Sequence, residues 1–206
     1  MRTILCFGDS NTWGFNPETA RRFPRDVRWP GKLQAALGEE WEVIEEGLTG
    51  RTATLDSPLA PGKNGLTYLE PCLDSHAPLD AVLIAVGTND LAERYGLTAT
   101  DVARAAARLA SVVSRSQAGP EETSPLPILI CPPPVGDTAW REDWASAAAK
   151  SAVLPERFRA VADEGGWELI DLGEVTRFSN IDGIHLDAAG HSAVAEHIEQ
   201  GVRRLF

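Results

Sequence analysis

The sequence predicts an α/β protein, a single α/β/α sandwich on a five-stranded parallel sheet with a flavodoxin-like strand order. Three observations carry that prediction. Short apolar runs alternate with amphipathic stretches along the whole chain, the pattern of repeated strand–helix–strand units. The run Ala81-Val82-Leu83-Ile84-Ala85-Val86 has no polar position, as a strand covered on both faces requires. Polar or glycine-bearing clusters follow every predicted strand but the fourth, where open parallel sheets place their ligands.

Taken in order, Thr3-Ile4-Leu5-Cys6-Phe7 is the first buried strand, and it runs into a glycine-bracketed turn, Gly8-Asp9-Ser10-Asn11-Thr12-Trp13-Gly14. Residues 15–27 mix Pro17, Pro24 and charges without period and read as a loop. Trp29 to Leu37 reads as a helix, with Pro30 tolerated in its first turn and Gly38 as its stop. Trp41-Glu42-Val43-Ile44-Glu45 alternates as a second strand and leads into Gly47-Leu48-Thr49-Gly50-Arg51-Thr52. A loop dotted with Pro58, Pro61, Gly62 and Gly65 then precedes a helix over residues 65–73. The third strand covers residues 80–86 and ends in Gly87-Thr88-Asn89-Asp90. Val102, Ala105, Ala106, Leu109, Val112 and Val113 form a helical stripe over residues 101–113. Pro127-Ile128-Leu129-Ile130-Cys131 is the fourth strand, stopped by three prolines. Trp140 and Trp144 follow in a polar setting, then an alanine-rich helix broken or restarted at Pro155. Trp167-Glu168-Leu169-Ile170-Asp171 is the fifth strand. Asp187 caps a last helix with the stripe Val194, Ile198, Val202 and Leu205, and Arg203 and Arg204 suit its C-terminal dipole. Right-handed crossovers and the order 2-1-3-4-5 bring the ends of the first and third strands together.

Bulk properties bound the function. The 206 residues form one domain, 1–206, with no repeat or linker. A net charge of −11 excludes nucleic acid and anionic membranes as partners, since both require basic patches. No apolar run approaches the ~20 residues that span a bilayer. Met1-Arg2 passes directly into a strand, which predicts no signal peptide. Cys6, Cys72 and Cys131 are odd in number and lack a C-x-x-C spacing, so reduced thiols and a cytoplasmic location are expected.

A serine at the end of the first strand attacks a carbonyl only with a base, an orienter for that base, and donors for the resulting oxyanion. The turn around Ser10 matches neither a phosphate-binding G-x-G-x-x-G nor the G-x-S-x-G elbow, and a plain helix cap at Ser10 or Thr12 is the competing reading. His185 is the candidate base, and Asp182, three residues earlier, the group that holds its imidazole. Gly50, with an unobstructed main-chain N–H, and Asn89, with a neutral side-chain donor, are candidates for the oxyanion hole, together with the N–H of Ser10. Asp9 reads as a brace for the serine turn and Asp90 as a cap. A metal at Asp182, His185 and His191 lacks a completing carboxylate or thiolate. His76, His191 and His197 read as surface histidines. Trp13 and Phe15 stand close enough to the serine to wall a substrate pocket, with Trp140 and Trp144 expected at the same edge.

Gly8-Asp9-Ser10, Gly50, Gly87-Thr88-Asn89-Asp90 and Asp182-Gly183-Ile184-His185 together resemble, in order, the four signature blocks of the SGNH (GDSL-type) esterases and lipases. Val27-Arg28-Trp29, Val43-Ile44-Glu45-Glu46-Gly47-Leu48 and Pro78-Leu79-Asp80 resemble its small bacterial arylesterase and acyltransferase branch. The resemblance implies Ser10 as nucleophile, His185 as base, Asp182 as its orienter, and Ser10, Gly50 and Asn89 as oxyanion donors. It implies no metal and no cofactor, a small-molecule ester as substrate, and a homo-oligomer. The expected activity is hydrolysis of short-chain, acetyl-type esters through an acyl-serine, with transfer to alcohols. A thioesterase or sugar O-acetylesterase would use the same residues, and a non-catalytic binding module would lack one of them. Asn11 replaces the family's usual leucine and Arg51 its frequent aspartate; both are expected at the mouth of the pocket.

Overall fold

Strand β1 (Arg2–Gly8) carries Ile4, Leu5, Cys6 and Phe7 in succession, and all four are fully buried. Side chains on successive strand residues point to opposite faces, so both faces of the sheet must be covered here. In the computed structural model, which describes residues 1–57, 59–136 and 142–206, they are. Strands β2 (Trp41–Gly47) and β3 (Ala81–Ala85) flank β1 in parallel, with Ile4 opposite Val43 on one side and Ala81 on the other. Beyond β3 lie β4 (Leu126–Cys131) and β5 (Glu168–Asp171), again parallel. The order β2-β1-β3-β4-β5 is the one the apolar runs predict. Each buried Leu or Ile of this sheet stabilises the fold by ~1.5–3 kcal/mol relative to exposure.

Helices α2 (Trp29–Leu37) and α7 (Ala188–Leu205) pack on each other. So do α3 (Gly65–His76) and α6 (Leu154–Gly165) with α4 (Ala99–Val113) between them. Helix α5 (Ala147–Ala152) packs on α6, and these two groups supply the two outer layers. Helix α4 starts two residues before its apolar stripe because its cap lies at Thr98. The Thr98 hydroxyl accepts from Asp101 N, and the Asp101 carboxylate accepts from Thr98 N. Helix α3 runs past the predicted stop to His76 despite Pro71 inside it, since Leu69, Cys72 and Leu73 on either side of the proline are all buried. Inside the predicted loop, Phe15–Asn16 and Arg21–Arg22 pair as a two-residue antiparallel ribbon, too short to leave a periodic signal. No helix among the described residues is long and apolar enough to cross a membrane. All three cysteines are buried and form no disulfide.

Two buried polar groups tie distant segments of the chain together. His191 is not at the surface as its place near the start of the last helix suggested, but fully buried. Its Nδ1 accepts from Trp29 N at 3.3 Å, taking the place of the side-chain cap that α2 lacks. Burial chiefly, helped by the nearby Arg28, His185 and Lys32 charges, pushes this imidazole down to about 4. Asp90, fully buried, accepts from Ala53 N at 3.0 and 3.2 Å and so fastens the segment after β2 to the turn after β3.

Burial pushes the Asp90 carboxyl up to about 7, with Asp9 adding to the rise. An unfolded Asp loses its proton near ~3.9. Between those values the folded chain holds a proton that the unfolded chain has released, so this group's support for folding declines as pH climbs from about 4 to about 7. Asp90→Asn keeps an acceptor for Ala53 N but cannot ionise. The Tm of Asp90→Asn relative to wild type is therefore expected to be more favourable at about pH 8 than at about pH 5, by thermal unfolding at both. An offset that does not change with pH would show that Asp90 is not protonated in the folded chain.

Candidate active site

The nucleophile turn depends on two strand ends without side chains. A Cβ on Gly8 would lie 1.9 Å from Thr12 Oγ1 and 2.9 Å from the Ala85 carbonyl oxygen; one on Gly47 would lie 2.1 Å from Trp13 N. Helix α1, a single turn over Ser10–Trp13, can consequently lie across the ends of β1 and β2. Asp9 caps it by accepting from Asn11 N at 2.9 Å, and Gly14 ends it at φ 86°. Ser10 thus becomes the first residue of the turn, 6% exposed, at the wall of a cleft of about 540 Å³. Asp9 is buried beneath it, and burial raises its carboxyl against the opposing pull of the Asn11 N–H, His185 and Thr88.

His185 Nε2 lies 2.9 Å from Ser10 Oγ, and His185 Nδ1 lies 2.6 Å from Asp182 Oδ2. A carboxylate can only accept, so Nδ1 carries the proton and Nε2 is left to accept from the serine hydroxyl. Asp182 Oδ1 accepts from the N–H groups of Ile184 and His185, both at 3.1 Å. Partial burial works against its charge, but the His185 hydrogen bond and charge and these two N–H groups outweigh it. The Asp182 carboxyl is held below its ordinary value. The Phe15 ring lies 4.3 Å from the imidazole, centroid to centroid, and restricts its swing.

The candidate oxyanion donors line the same cleft. Gly50, at φ 74°, and Asn89 both line the cleft with Ser10. Asn89 Nδ2 donates to the Arg51 carbonyl oxygen at 3.0 Å, which fixes the amide plane and leaves its second hydrogen for another acceptor.

Three residues expected to face the substrate stand elsewhere. Arg51 is 2% exposed, and its guanidinium lies 4.1 Å from the Phe7 ring centroid. Its Nη1 donates to the main-chain oxygen of Gly8 at 2.9 Å and to that of Glu46, which joins the ends of β1 and β2; the Gly8 oxygen also accepts from Leu48 N at 3.0 Å. Burial lowers its pKa, against the attraction of Glu46. Asn11 also turns inward. Its Nδ2 donates to the Ile184 carbonyl at 3.1 Å, and its Oδ1 accepts from Leu186 N at 2.9 Å. The amide thus brackets His185 from both sides, one donor and one acceptor, which neither leucine nor aspartate could supply. Trp13 packs its ring under the Arg22 guanidinium, 5.2 Å away, and does not line the cleft.

Phe15 and Trp144 do line it, while Trp140 lies outside the described residues. The charged rim was not foreseen. Arg94, Glu142 and Asp143 all border the cleft, and Arg94 Nη1 meets Asp143 Oδ2 at 2.6 Å. These residues come from 3-10 turns, whose short spans carry no periodicity; the only available signal was charge beside Trp144.

Comparisons with known proteins accord with this geometry. No curated protein matches the sequence. Among solved structures, a carbohydrate acetylesterase from Sinorhizobium meliloti is similar at 35% identity with a TM-score of 0.95, each chain covering 100% of the other. The native aryl esterase of M. smegmatis gives the same identity, TM-score and coverage. A carbohydrate acetylesterase family member from Sinorhizobium meliloti is 38% identical, with a TM-score of 0.93 over 100% of this chain and 99% of that one. Residues 6–193 match the GDSL-like Lipase/Acylhydrolase family. With this match over most of its length and this span of similarity, the chain belongs to the GDSL-like lipase/acylhydrolase family.

Proposed function

We propose that the protein is a serine esterase acting on short-chain, acetyl-type esters. The observation that carries this reading is the unbroken hydrogen-bonded line from Ser10 Oγ through His185 to Asp182, in a cleft that Gly50 and Asn89 also line. Ser10 Oγ attacks the ester carbonyl while His185 Nε2 takes its proton, and Asp182 stabilises the imidazolium that forms. Negative charge moves to the carbonyl oxygen, which the N–H groups of Ser10 and Gly50 and the Asn89 amide would receive. Such fixed donors act most strongly on the transition state. His185 then returns the proton to the leaving alcohol, and water, activated by the same imidazole, releases the acid from acyl-Ser10. An alcohol in place of water would give acyl transfer.

The cleft lining carries two kinds of surface. Phe15, whose ring centroid lies 4.3 Å from that of His185, and Trp144 are apolar, and Arg94, Glu142 and Asp143 are charged. A small acyl group suits the apolar zone, and a polyhydroxyl alcohol suits the charged one, so sugar acetates are the favoured second reading. The names of the similar structures, an aryl esterase and two carbohydrate acetylesterases, lie on both sides of that choice.

Ser10→Ala should leave only the ~10³–10⁴-fold advantage over water that binding and the oxyanion hole provide, and Asp182→Asn should lower kcat by about 10⁴-fold through the wrong tautomer. Asn89→Ala should lower kcat by about 10²–10³-fold with KM near its wild-type value. Full turnover by Ser10→Ala would end the acyl-enzyme reading. Asn11→Leu should lower kcat by up to about 10²-fold with little change in KM, since it releases the segment that positions His185 without touching substrate. A rise in KM alone would return Asn11 to the substrate pocket. For the acyl zone, a series of p-nitrophenyl esters should favour acetate, and an added primary alcohol should yield a new ester. Preference for chains of eight or more carbons would mean an open, lipase-like site.

A further inference from the structure

Outside the cleft lining, three different ligand-bearing side chains converge. Cys72 and His76 lie one helical turn apart on α3, and Glu46 projects from the end of β2 toward both. Cys72 Sγ, an imidazole nitrogen of His76 and a carboxylate oxygen of Glu46 all lie within 4.8 Å of one another. His76 Nε2 is 2.9 Å from Glu46 Oε1, and the Tyr68 hydroxyl, one turn before Cys72, donates to Glu46 Oε2 at 3.2 Å. We propose that Glu46, Cys72 and His76 form a binding site for a soft divalent cation of the zinc type, separate from the esterase cleft.

Ligand chemistry, spacing and access support this. Residues four apart on a helix project from one face, so Cys72 and His76 can reach one ion together. Thiolate with imidazole selects zinc, cobalt or copper ions over magnesium and calcium, which prefer oxygen ligands. Thiolate and carboxylate carry two negative charges, matching a divalent ion, and three protein ligands leave a fourth tetrahedral position for water. The Tyr68 hydrogen bond holds the carboxylate in place, as partners of metal ligands commonly do. His76 and Glu46 side chains are 29% and 22% exposed, which gives an ion a route in, while the thiol is buried beneath them. Binding breaks the Cys72 S–H bond, releases that proton to solvent and forms a sulfur–metal bond, with no change of oxidation state. Without a metal, burial first and Glu46 second push the Cys72 thiol up to about 12. Affinity therefore includes the work of removing that proton. The Arg51 guanidinium, 5.4 Å from the Tyr68 ring centroid, adds a positive charge that holds the affinity below that of a site without one.

The inference stands apart from the esterase reading, and so does its test. Chelator-treated full-length protein should bind one equivalent of Co²⁺ with a thiolate-to-cobalt charge-transfer band, and Zn²⁺ but not Mg²⁺ should displace it. Zn²⁺ should raise the Tm of the wild type. Cys72→Ser should lose the charge-transfer band. His76→Gln, at a partly exposed position that tolerates exchange if Cys72→Ser fails to fold, should weaken binding by at least ~10-fold. His185→Gln should bind as wild type does. The proposal is overturned by absence of saturable Co²⁺ binding, by a charge-transfer band that survives in Cys72→Ser, or by unchanged affinity in His76→Gln. Binding lost in His185→Gln instead would place the ion in the esterase cleft and equally overturn it.

Discussion

The chemistry of this protein depends on a lack of space at two strand ends. With 1.9 Å between the Gly8 Cβ position and Thr12 Oγ1, any other residue would push the α1 turn off β1. Gly47 imposes the same condition from β2 through Trp13 N. Close contact on both sides sets the height of Ser10 above the sheet, and its hydroxyl needs that height fixed before a histidine 175 positions away can meet it. The far partner is then set by Asn11, whose amide clasps the main chain before and after His185. Rigid glycine contacts and one bidentate amide thus replace what a continuous secondary-structure element would otherwise provide.

The same edge of the sheet carries unusual charge. Asp9 and Asp90 are both buried near the nucleophile, and burial raises both. Arg51 is the buried cation nearby, and it is spent on main-chain oxygens rather than on either carboxyl. Its own carbonyl holds Asn89. One residue therefore spans the ends of β1 and β2 with its side chain and orients the oxyanion wall with its backbone, although neither end of it touches the cleft.

Much of this could be read from the residues because the three central strands are apolar on both faces and the edge strand β2 alternates. These runs define the sheet, and parallel sheets bind ligands at their carboxyl ends, where Ser10, Gly50, Asn89 and His185 stand. Side-chain direction in loops has no such rule. Asn11 and Arg51 follow conspicuous residues in irregular segments, where no period says whether a side chain faces solvent or backbone, and both were misplaced for that reason. His191 is a different failure. The stripe Val194, Ile198, Val202, continued back one turn, lands on His191, so helical periodicity already indicated burial, and its polarity was given too much weight. The cleft rim from Arg94, Glu142 and Asp143 is assembled from turns distant in sequence, and no local signal announces it.

The hydrogen bond from Trp29 N to His191 Nδ1 has a consequence for how the chain assembles. Helix α2, formed early in the sequence, has no side-chain cap of its own and takes its acceptor from α7, the last helix. Until α7 docks, the Trp29 N–H has water as its acceptor in place of His191. Completion of α2 is thereby coupled to that of the whole domain. In native-state exchange, the Trp29 amide should open together with α7 in one cooperative unit, although 162 positions separate the two residues.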